Sequence, residues 1–399
     1  MKSVCILLQN TYDVDIRVRR KAEALVAAGY SVDVLALRPP HLKSKTYSLN
    51  GVVVHTFSLG KKRGSRWRYY FEYLTFFFWI FIKLPVLTNT KAYAVIDVNT
   101  LPDFLVFATA YARWKGAKIL FDMHEITPEF LMSKFKVGVN HWQVRLARFL
   151  EKASFMYADH VITINEPIQQ LLASRGLLLS KSTVIMNSAD QSIFASASNF
   201  SVAAGRGAIS AEFVFMYHGT LTHIYGLDIA LEAFAMAHHE MPTAEFWIIG
   251  DGPEKSSLER LSKKLGLGSH VSFIGPMLPT EIPGWLARCD VGVLSTRQDV
   301  FLDFSFSNKL SEYIIMGKAV IASRLKTVRH YFSEESLAYF EPNSPADLAK
   351  QMVFLYKDQE LRARLADKAK REYAPINWEV MKQRYLELME DLTSTSPDA

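Results

Sequence analysis

Short β-branched or aliphatic runs alternate with longer helical patterns along nearly the whole chain, and this rhythm constrains the fold more than any other feature. Residues 4–8, 31–37, 52–57, 94–98, 118–121, 160–164 and 183–186 read as strands. Helix patterns at residues 18–28, 102–114 and 166–174 lie between several of them. A repeated strand–helix order predicts a parallel sheet covered on both faces. Residues 190–212, rich in Ser, Ala and Gly, interrupt the rhythm as a linker does. It then restarts, with strands at 213–217, 245–249, 271–274, 291–294, 319–322 and 338–340 and helices at about 227–238, 254–265, 279–289 and 309–316. The expectation is α/β: a doubly wound domain over 1–190, a linker over 191–212 and a second doubly wound domain over 213–376. A final helix pattern at residues 377–392 opens a C-terminal segment, 377–399. Such sheets bind ligands beyond the carboxyl ends of their strands, so a cleft between two of them suits the joining of two substrates.

At 399 residues each half is large enough to bury its own core. Two distant cysteines, Cys5 and Cys289, argue against a disulfide framework or a zinc site and suit a reducing cytoplasm. The first apolar run is too short for a secretory signal and ends in Gln9-Asn10. The aromatic stretch at residues 69–87 is broken by Glu72, Lys83 and Pro85, and its longest uncharged piece, residues 73–82, covers half a bilayer. It does not read as a transmembrane helix. Residues 1–190 carry 25 Lys/Arg against 14 Asp/Glu, whereas the remainder carries 21 against 26. The basic half suggests an anionic partner such as membrane lipid or a phosphorylated acceptor. No recognition module points to nucleic acid.

Several chemistries are excluded by absent motifs. There is no GxGxxG after the first strand, no GxxxxGK[ST], no GxSxG and no HExxH. In the second half, Tyr217-His218-Gly219-Thr220 and Gly250-Asp251-Gly252-Pro253 each follow a strand. Glycines there let backbone N–H groups approach an anion, or simply make the turn. Pro253 is expected near the first position of the next helix. Ser307-Asn308-Lys309 leads into a helix that carries Glu312 on the same face as Lys309. The helix N-terminus and Lys309 can stabilise a diphosphate, and Glu312 can hold the hydroxyls of a ribose. An exposed Lys–Glu pair is the plainer alternative.

The order of these pieces resembles glycosyltransferase family 4, retaining enzymes of the two-Rossmann GT-B fold. The matching elements are Asp15-x-Arg17-Val18, Asp122-x-His124-Glu125, Ala158-Asp159-x-Val161-Ile162-Thr163, Asn187 and His218-Gly219-Thr220. They continue with Tyr225-Gly226-Leu227-Asp228, Gly250-Asp251-Gly252-Pro253, Asn308-Lys309-x-x-Glu312-Tyr313 and Gly317-Lys318. The resemblance implies sugar transfer from a nucleoside diphosphate sugar with retention, and a C-terminal helix that returns to the first domain. It makes Glu312 the second glutamate of the family's E-x7-E motif and His124 the histidine that reaches the donor sugar. Phe304 stands where the first glutamate belongs, with Asp303 or Asp299 as substitutes. His223 and Tyr225 occupy the places of the usual Arg and Lys of the first phosphate loop, which leaves phosphate charge to Lys309 and Arg297.

Donor contacts are therefore expected from Gly219, Thr220, His223, Tyr225, Gly250, Gly252, Pro253, Arg297, Asp303, Ser307, Asn308, Lys309 and Glu312. The reacting set is His124, Glu312 and Lys309. Acceptor contacts are expected from Asn10, Asp15, Arg17, Asn99 and Glu125, although helix capping explains Asp13, Asp15, Thr100 and Asp103 equally well. No metal or other cofactor is expected. Lys61, Lys62, Arg63, Arg66 and Arg68 beside the aromatic stretch form a membrane-surface signature, or a solvated loop before a buried helix. The expected protein is a cytoplasmic glycosyltransferase, peripheral on the inner membrane face, that acts on a saccharide or lipid-linked saccharide in bacterial surface-polysaccharide synthesis. A GT-B-like sugar-nucleotide epimerase or phosphorylase and a non-catalytic sugar-nucleotide-binding protein are the rival readings.

Overall fold

The computed structural model describes residues 1–40, 42–59, 66–195 and 212–394. The chain divides into two compact units, residues 1–186 with 380–399 and residues 187–379.

Unit 1 is built on eight strands: β1 (Ser3–Thr11), β2 (Ser31–Leu37), β3 (Thr46–Leu49), β4 (Val52–Phe57), β5 (Val95–Asn99), β6 (Lys118–Met123), β7 (His160–Thr163) and β8 (Ser182–Val184). Its helices are α1 (Ile16–Ala27), α2 (Arg66–Thr90), α3 (Ala110–Trp114), α4 (Thr127–Phe135), α5 (Trp142–Tyr157) and α6 (Glu166–Ala173). The sheet order is β3-β4-β2-β1-β5-β6-β7-β8. All pairings are parallel except β3 with β4. The central strands are apolar without alternation because both faces are covered: Val4 to Leu7 are completely buried. Right-handed crossovers then place α1, which leads toward one edge, on one face. The same rule places α2, α3 and α5, which lead toward the other edge, on the opposite face.

β3 has no counterpart in the hydrophobic pattern. Its sequence, Thr-Tyr-Ser-Leu, is short and half exposed because it pairs on one side only. The helix pattern at residues 102–114 resolves into a 3-10 segment, Asp103–Thr109, followed by α3.

Unit 2 contains β9 (Phe213–His218), β10 (Ala244–Ile249), β11 (Val271–Gly275), β12 (Val291–Leu294), β13 (Ala319–Ser323) and β14 (Ala338–Phe340). They form a parallel sheet in the order β11-β10-β9-β12-β13-β14. Around it lie α7 (Gln191–Ala195), α8 (Leu227–Ala237), α9 (Lys255–Lys264), α10 (Ile282–Arg288), α11 (Asn308–Ile315), α12 (Lys326–Tyr331), α13 (Pro345–Lys357) and α14 (Gln359–Tyr373). Phe215, Phe234, Phe246, Ile248, Val293 and Ile321 fill the core beneath α8 and α13. Most of the linker expected at 191–212 falls outside the described residues.

The last helix, α15 (Trp378–Ser394), runs out of unit 2, and its residues from Val380 onward belong to unit 1. There Met381, Tyr385 and Met389 are fully buried. The Met186 N–H donates to the Met381 sulfur at 3.1 Å, and the Tyr385 hydroxyl donates to Asp97 at 3.0 Å.

Candidate functional site

In unit 2 the polar residues singled out by the sequence gather at the carboxyl ends of β9 and β10. Two glycine turns meet there. Gly219 N–H donates to Ile249 O at 2.8 Å, and Leu221 N–H donates to Asp251 O at 2.9 Å. A methyl group on Gly250 would sit 1.9 Å from Gly219 O, so the close approach of the two turns requires glycine. Pro253 is not at the first position of a helix. It lies in an exposed turn two residues before α9, after the Asp251 side chain has accepted from Gly252 N–H.

Lys309 lies one residue into α11 and points under the Gly219 turn, where a Gly219 Cβ would be 2.4 Å from its Cε. Its ammonium is 4.0 Å from the centre of the Tyr225 ring and 5.4 Å from that of Tyr217. It forms no ion pair or hydrogen bond among the described residues. Burial pushes its pKa down to about 8, against the opposing attraction of Glu312. Three polar atoms of α11 and of the loop after β9 are also unsatisfied: Asn308 Oδ1, Ser311 Oγ and Thr222 Oγ1 are buried without partners. Ser307 precedes α11 without capping it through its side chain.

Glu312 faces His218, with Oε2 2.6 Å from Nε2. The other ring nitrogen, Nδ1, lies 3.1 Å from the Tyr313 hydroxyl, which itself reaches Met216 O at 2.7 Å. Gly292 in β12 makes room for this arrangement, because a Cβ there would meet the Tyr313 ring at 2.6 Å. His218 and Tyr313 were legible only as members of a motif; their part in holding Glu312 depends on a strand and a helix 94 and 95 residues apart.

Other candidates in unit 2 are already engaged. Arg297 pairs with Asp228 and donates to His223 O at 3.2 Å, tying the turn before α8 to the end of β12. Tyr225 O accepts from Ser295 Oγ and Thr220 O from the Tyr217 hydroxyl, leaving the Tyr225 ring to Lys309. Asp303 accepts from the Gln298 amide at 3.1 Å. Asp299 accepts from the Phe301 and Leu302 N–H groups as a local cap.

In unit 1, His124 is buried behind a polar network that the sequence did not reveal. Lys21 of α1 donates to Asp122, to Asn99 Oδ1 at 3.2 Å and to Asp97 at 3.4 Å. The Asn99 amide donates to Asp97 Oδ1 at 3.2 Å. Asn99 Oδ1 is thereby turned toward His124 Nε2, 2.9 Å away. Nε2 must donate in that contact, so Nδ1 carries the lone pair, and Nδ1 is buried without a partner. Burial first, then Arg17 and Lys21, hold the His124 pKa well below its ordinary value, so the ring is neutral. The Asp97 carboxyl is pushed up to about 6 by burial, opposed by Lys21 and assisted by Asp122.

Asp15 caps α1 by accepting from Val18 N–H, and it also binds Arg17 and Asn10 at 3.2 Å each. Burial opposes its charge, but those partners keep its pKa below the usual carboxylate range. Glu125 is pushed up by burial, with Arg17 and Lys134 opposing. Asp103 is an internal carboxyl pushed up to about 7 by burial, with Thr127 donating to both of its oxygens.

Two parallel α/β units, the second with paired glycine turns over a half-buried lysine, define a protein of the GT-B class. Residues 14–187 match the family described as "Glycosyl transferase 4-like domain", and residues 212–358 match "Glycosyl transferases group 1". Between them the two matches take in most of the chain, and it belongs to the family 4 type of GT-B glycosyltransferases.

The chain is 31% identical over 128 residues to the lipopolysaccharide core biosynthesis glycosyltransferase LpsD of Rhizobium meliloti, 32% of this chain and 35% of that one. It is 25% identical to the alpha-D-kanosaminyltransferase of Streptomyces kanamyceticus over 39% of each chain. It thus spans about a third to a half of the length of the curated relatives it matches. Among solved structures, HepE of Anabaena in complex with UDP superposes with a TM-score of 0.74 at 17% identity, over 98% of this chain and 100% of that one. Sucrose-phosphate synthase of Thermosynechococcus elongatus gives 0.77 at 18% identity, over 99% and 100%.

Proposed function

We propose that the chain is a retaining glycosyltransferase that takes a sugar from a nucleoside diphosphate sugar, with the nucleotide held in unit 2. The observation that carries this reading is the half-buried ammonium of Lys309 beneath the Gly219 turn, which makes no ion pair among the described residues. A cation in that setting is stabilised by an anion, and the first turn of α11 adds its N–H groups to the same place. Glu312, oriented by His218, accepts the ribose hydroxyls. Arg297 is left to hold the turn before α8, so phosphate charge rests on Lys309. As the donor bond breaks, charge builds on the departing diphosphate, and a preorganised ammonium stabilises it without metal. His124 in unit 1 offers Nδ1 as an acceptor toward a sugar hydroxyl, and Asn10, Arg17 and Glu125 are assigned to the acceptor. Relatives named for lipopolysaccharide core synthesis support a surface saccharide, free or lipid-linked, as acceptor in the cytoplasm.

Calorimetry with UDP, GDP and ADP and their sugars tests the reading. Saturable binding of one nucleotide is expected, and Glu312→Gln should weaken it by about 10- to 150-fold, the equivalent of ~1.5–3 kcal/mol for a charged hydrogen bond. Unchanged affinity in a folded variant removes Glu312 from the site. Phe304, in the place of the family's first glutamate, favours a second reading as a binding protein without turnover. Nucleotide binding with no sugar release to any lipid-linked or free saccharide would establish it.

A further inference from the structure

Helix α2 has two faces. Glu72, Phe76, Ile80, Leu84 and Thr88, four residues apart, are buried in unit 1. Phe71, Leu74, Phe78, Phe81, Ile82 and Val86 stand on the opposite side and are exposed, Ile82 by 68%. The helix is long and apolar enough to span a bilayer by composition, yet a spanning helix could not keep its other face packed in a protein core.

The exposed stripe is not isolated. Phe77 of α2 packs against Phe104 at 5.8 Å, and Phe107 of the same 3-10 segment packs against Tyr157 of α5 at 5.3 Å. The Tyr111 hydroxyl of α3 donates to Asn89 of α2 at 2.6 Å. The three helices therefore lie side by side on one face of the sheet. On α5 the residues turned outward are Trp142, Leu146, Phe149 and Met156, flanked by Arg145, Arg148 and Lys152, all exposed. Trp114 at the end of α3 is 75% exposed, and exposed Lys115 follows it. The three helices contain only two acidic residues, and both are withdrawn: Glu72 is buried against Arg68, and Glu151 is buried against Arg175.

We propose that the outer faces of α2, α3 and α5 form one surface on which unit 1 rests in the interfacial layer of an anionic bilayer. Aromatic and aliphatic side chains enter the headgroup boundary while Arg145, Arg148, Lys152 and Lys83 reach lipid phosphates, their stems lying along the apolar surface. Charge decides between this occupant and a second copy of the chain. A self-complementary apolar face would bring these basic residues against each other with no exposed carboxylate on the three helices to neutralise them. Lys61, Lys62 and Arg63, expected from sequence to serve this purpose, lie outside the described residues. The proposal is independent of the nucleotide reading for unit 2.

The test is flotation of the full chain with vesicles of phosphatidylcholine alone or mixed with phosphatidylglycerol, at low and high salt. Binding is expected to the mixed vesicles and to weaken with salt. The triple variant R145S/R148S/K152S should lower partition about a hundredfold, since each basic residue at such a surface contributes roughly a fivefold factor. The triple variant F78S/I82S/F149S should abolish binding that survives high salt. All six positions are exposed or border solvent, and melting curves of the free proteins should match wild type. The variant M236S/F354S, which removes exposed apolar residues of unit 2, should bind as wild type does. Absence of binding to mixed vesicles, or equal binding by the triple variants, overturns the proposal. So does a solution dimer that the apolar triple variant dissociates and that lipid leaves intact.

Discussion

Replacing Lys21 by Met should produce a defect whose pH dependence identifies its cause. Lys21 is 5% exposed and is the cation shared by Asp97 and Asp122, which are 0% and 1% exposed. Met fills a similar volume but leaves two carboxylates buried together, and breaking a buried pair in this way costs about 3–5 kcal/mol. For a unit of about 200 residues, 1 kcal/mol moves the melting point by roughly 2–4 °C, so its transition should fall by about 6–20 °C at pH 8.

The pH dependence follows from Asp97, whose carboxyl titrates near 6 in the folded chain against an ordinary value of 3.8. The folded form binds this proton more readily than the unfolded form, so stability rises as pH falls through about 6 toward 4. Without Lys21 that window moves upward. The variant should then recover relative to wild type between pH 8 and pH 5, by about 1.4 kcal/mol for each pH unit over which the window has moved. Comparing variant with wild type cancels Asp103 and Glu151, whose carboxyls are both raised to about 7 and remain in both proteins. Melts followed by circular dichroism across this range measure the difference. Adding Asp97→Asn to Lys21→Met should restore part of the loss at pH 8. A loss below about 1 kcal/mol, or a deficit independent of pH, would show that Lys21 does not neutralise this pair.

Gly250→Ala should part the two glycine turns, because the new Cβ would meet Gly219 O; at least a tenfold loss of nucleotide affinity is expected by calorimetry, in a chain that still folds. Lys309→Met should abolish the decline of nucleoside diphosphate sugar affinity above about pH 8. In wild type, affinity for the nucleoside diphosphate sugar, whose phosphates do not titrate in this range, should be level from about pH 7 to 8 and decline above it, because the free ammonium titrates near 8 and the bound anion holds its proton more firmly. Glycosyl transfer should persist after exhaustive chelation, as measured by release of nucleoside diphosphate; activity restored only by magnesium or manganese would contradict the role given to Lys309.

The strand pattern made both sheets legible because parallel strands covered on both faces are unbroken apolar runs, whatever their neighbours. β3 escaped because an edge strand of four half-exposed residues carries no such run. Lys309 and Glu312 could be read as a pair because helix geometry fixes neighbours three residues apart. Lys21 could not. It follows Arg19 and Arg20 in the sequence with nothing to set it apart from them, and its partners are 76 and 101 residues away. Arg297 had the right charge in the right region, but its engagement by Asp228 across 69 residues is a tertiary fact. The same holds for α2: hydrophobicity marked it, yet only packing separates the face that holds Phe76 from the face that shows Phe78.

The return of α15 to unit 1 bears on how the chain is made. A ribosome completes unit 2 before it delivers Met381, Tyr385 and Met389, so the unit begun first is finished last. Until then Asp97 lacks the Tyr385 hydroxyl and apolar surface that α15 will cover stays wet. Such a nascent intermediate is a natural client for chaperones. A premature stop a few residues before Met381 would remove little sequence and yet leave the amino-terminal half permanently unsealed. Severing the chain between the units would likewise leave the first without its closing helix.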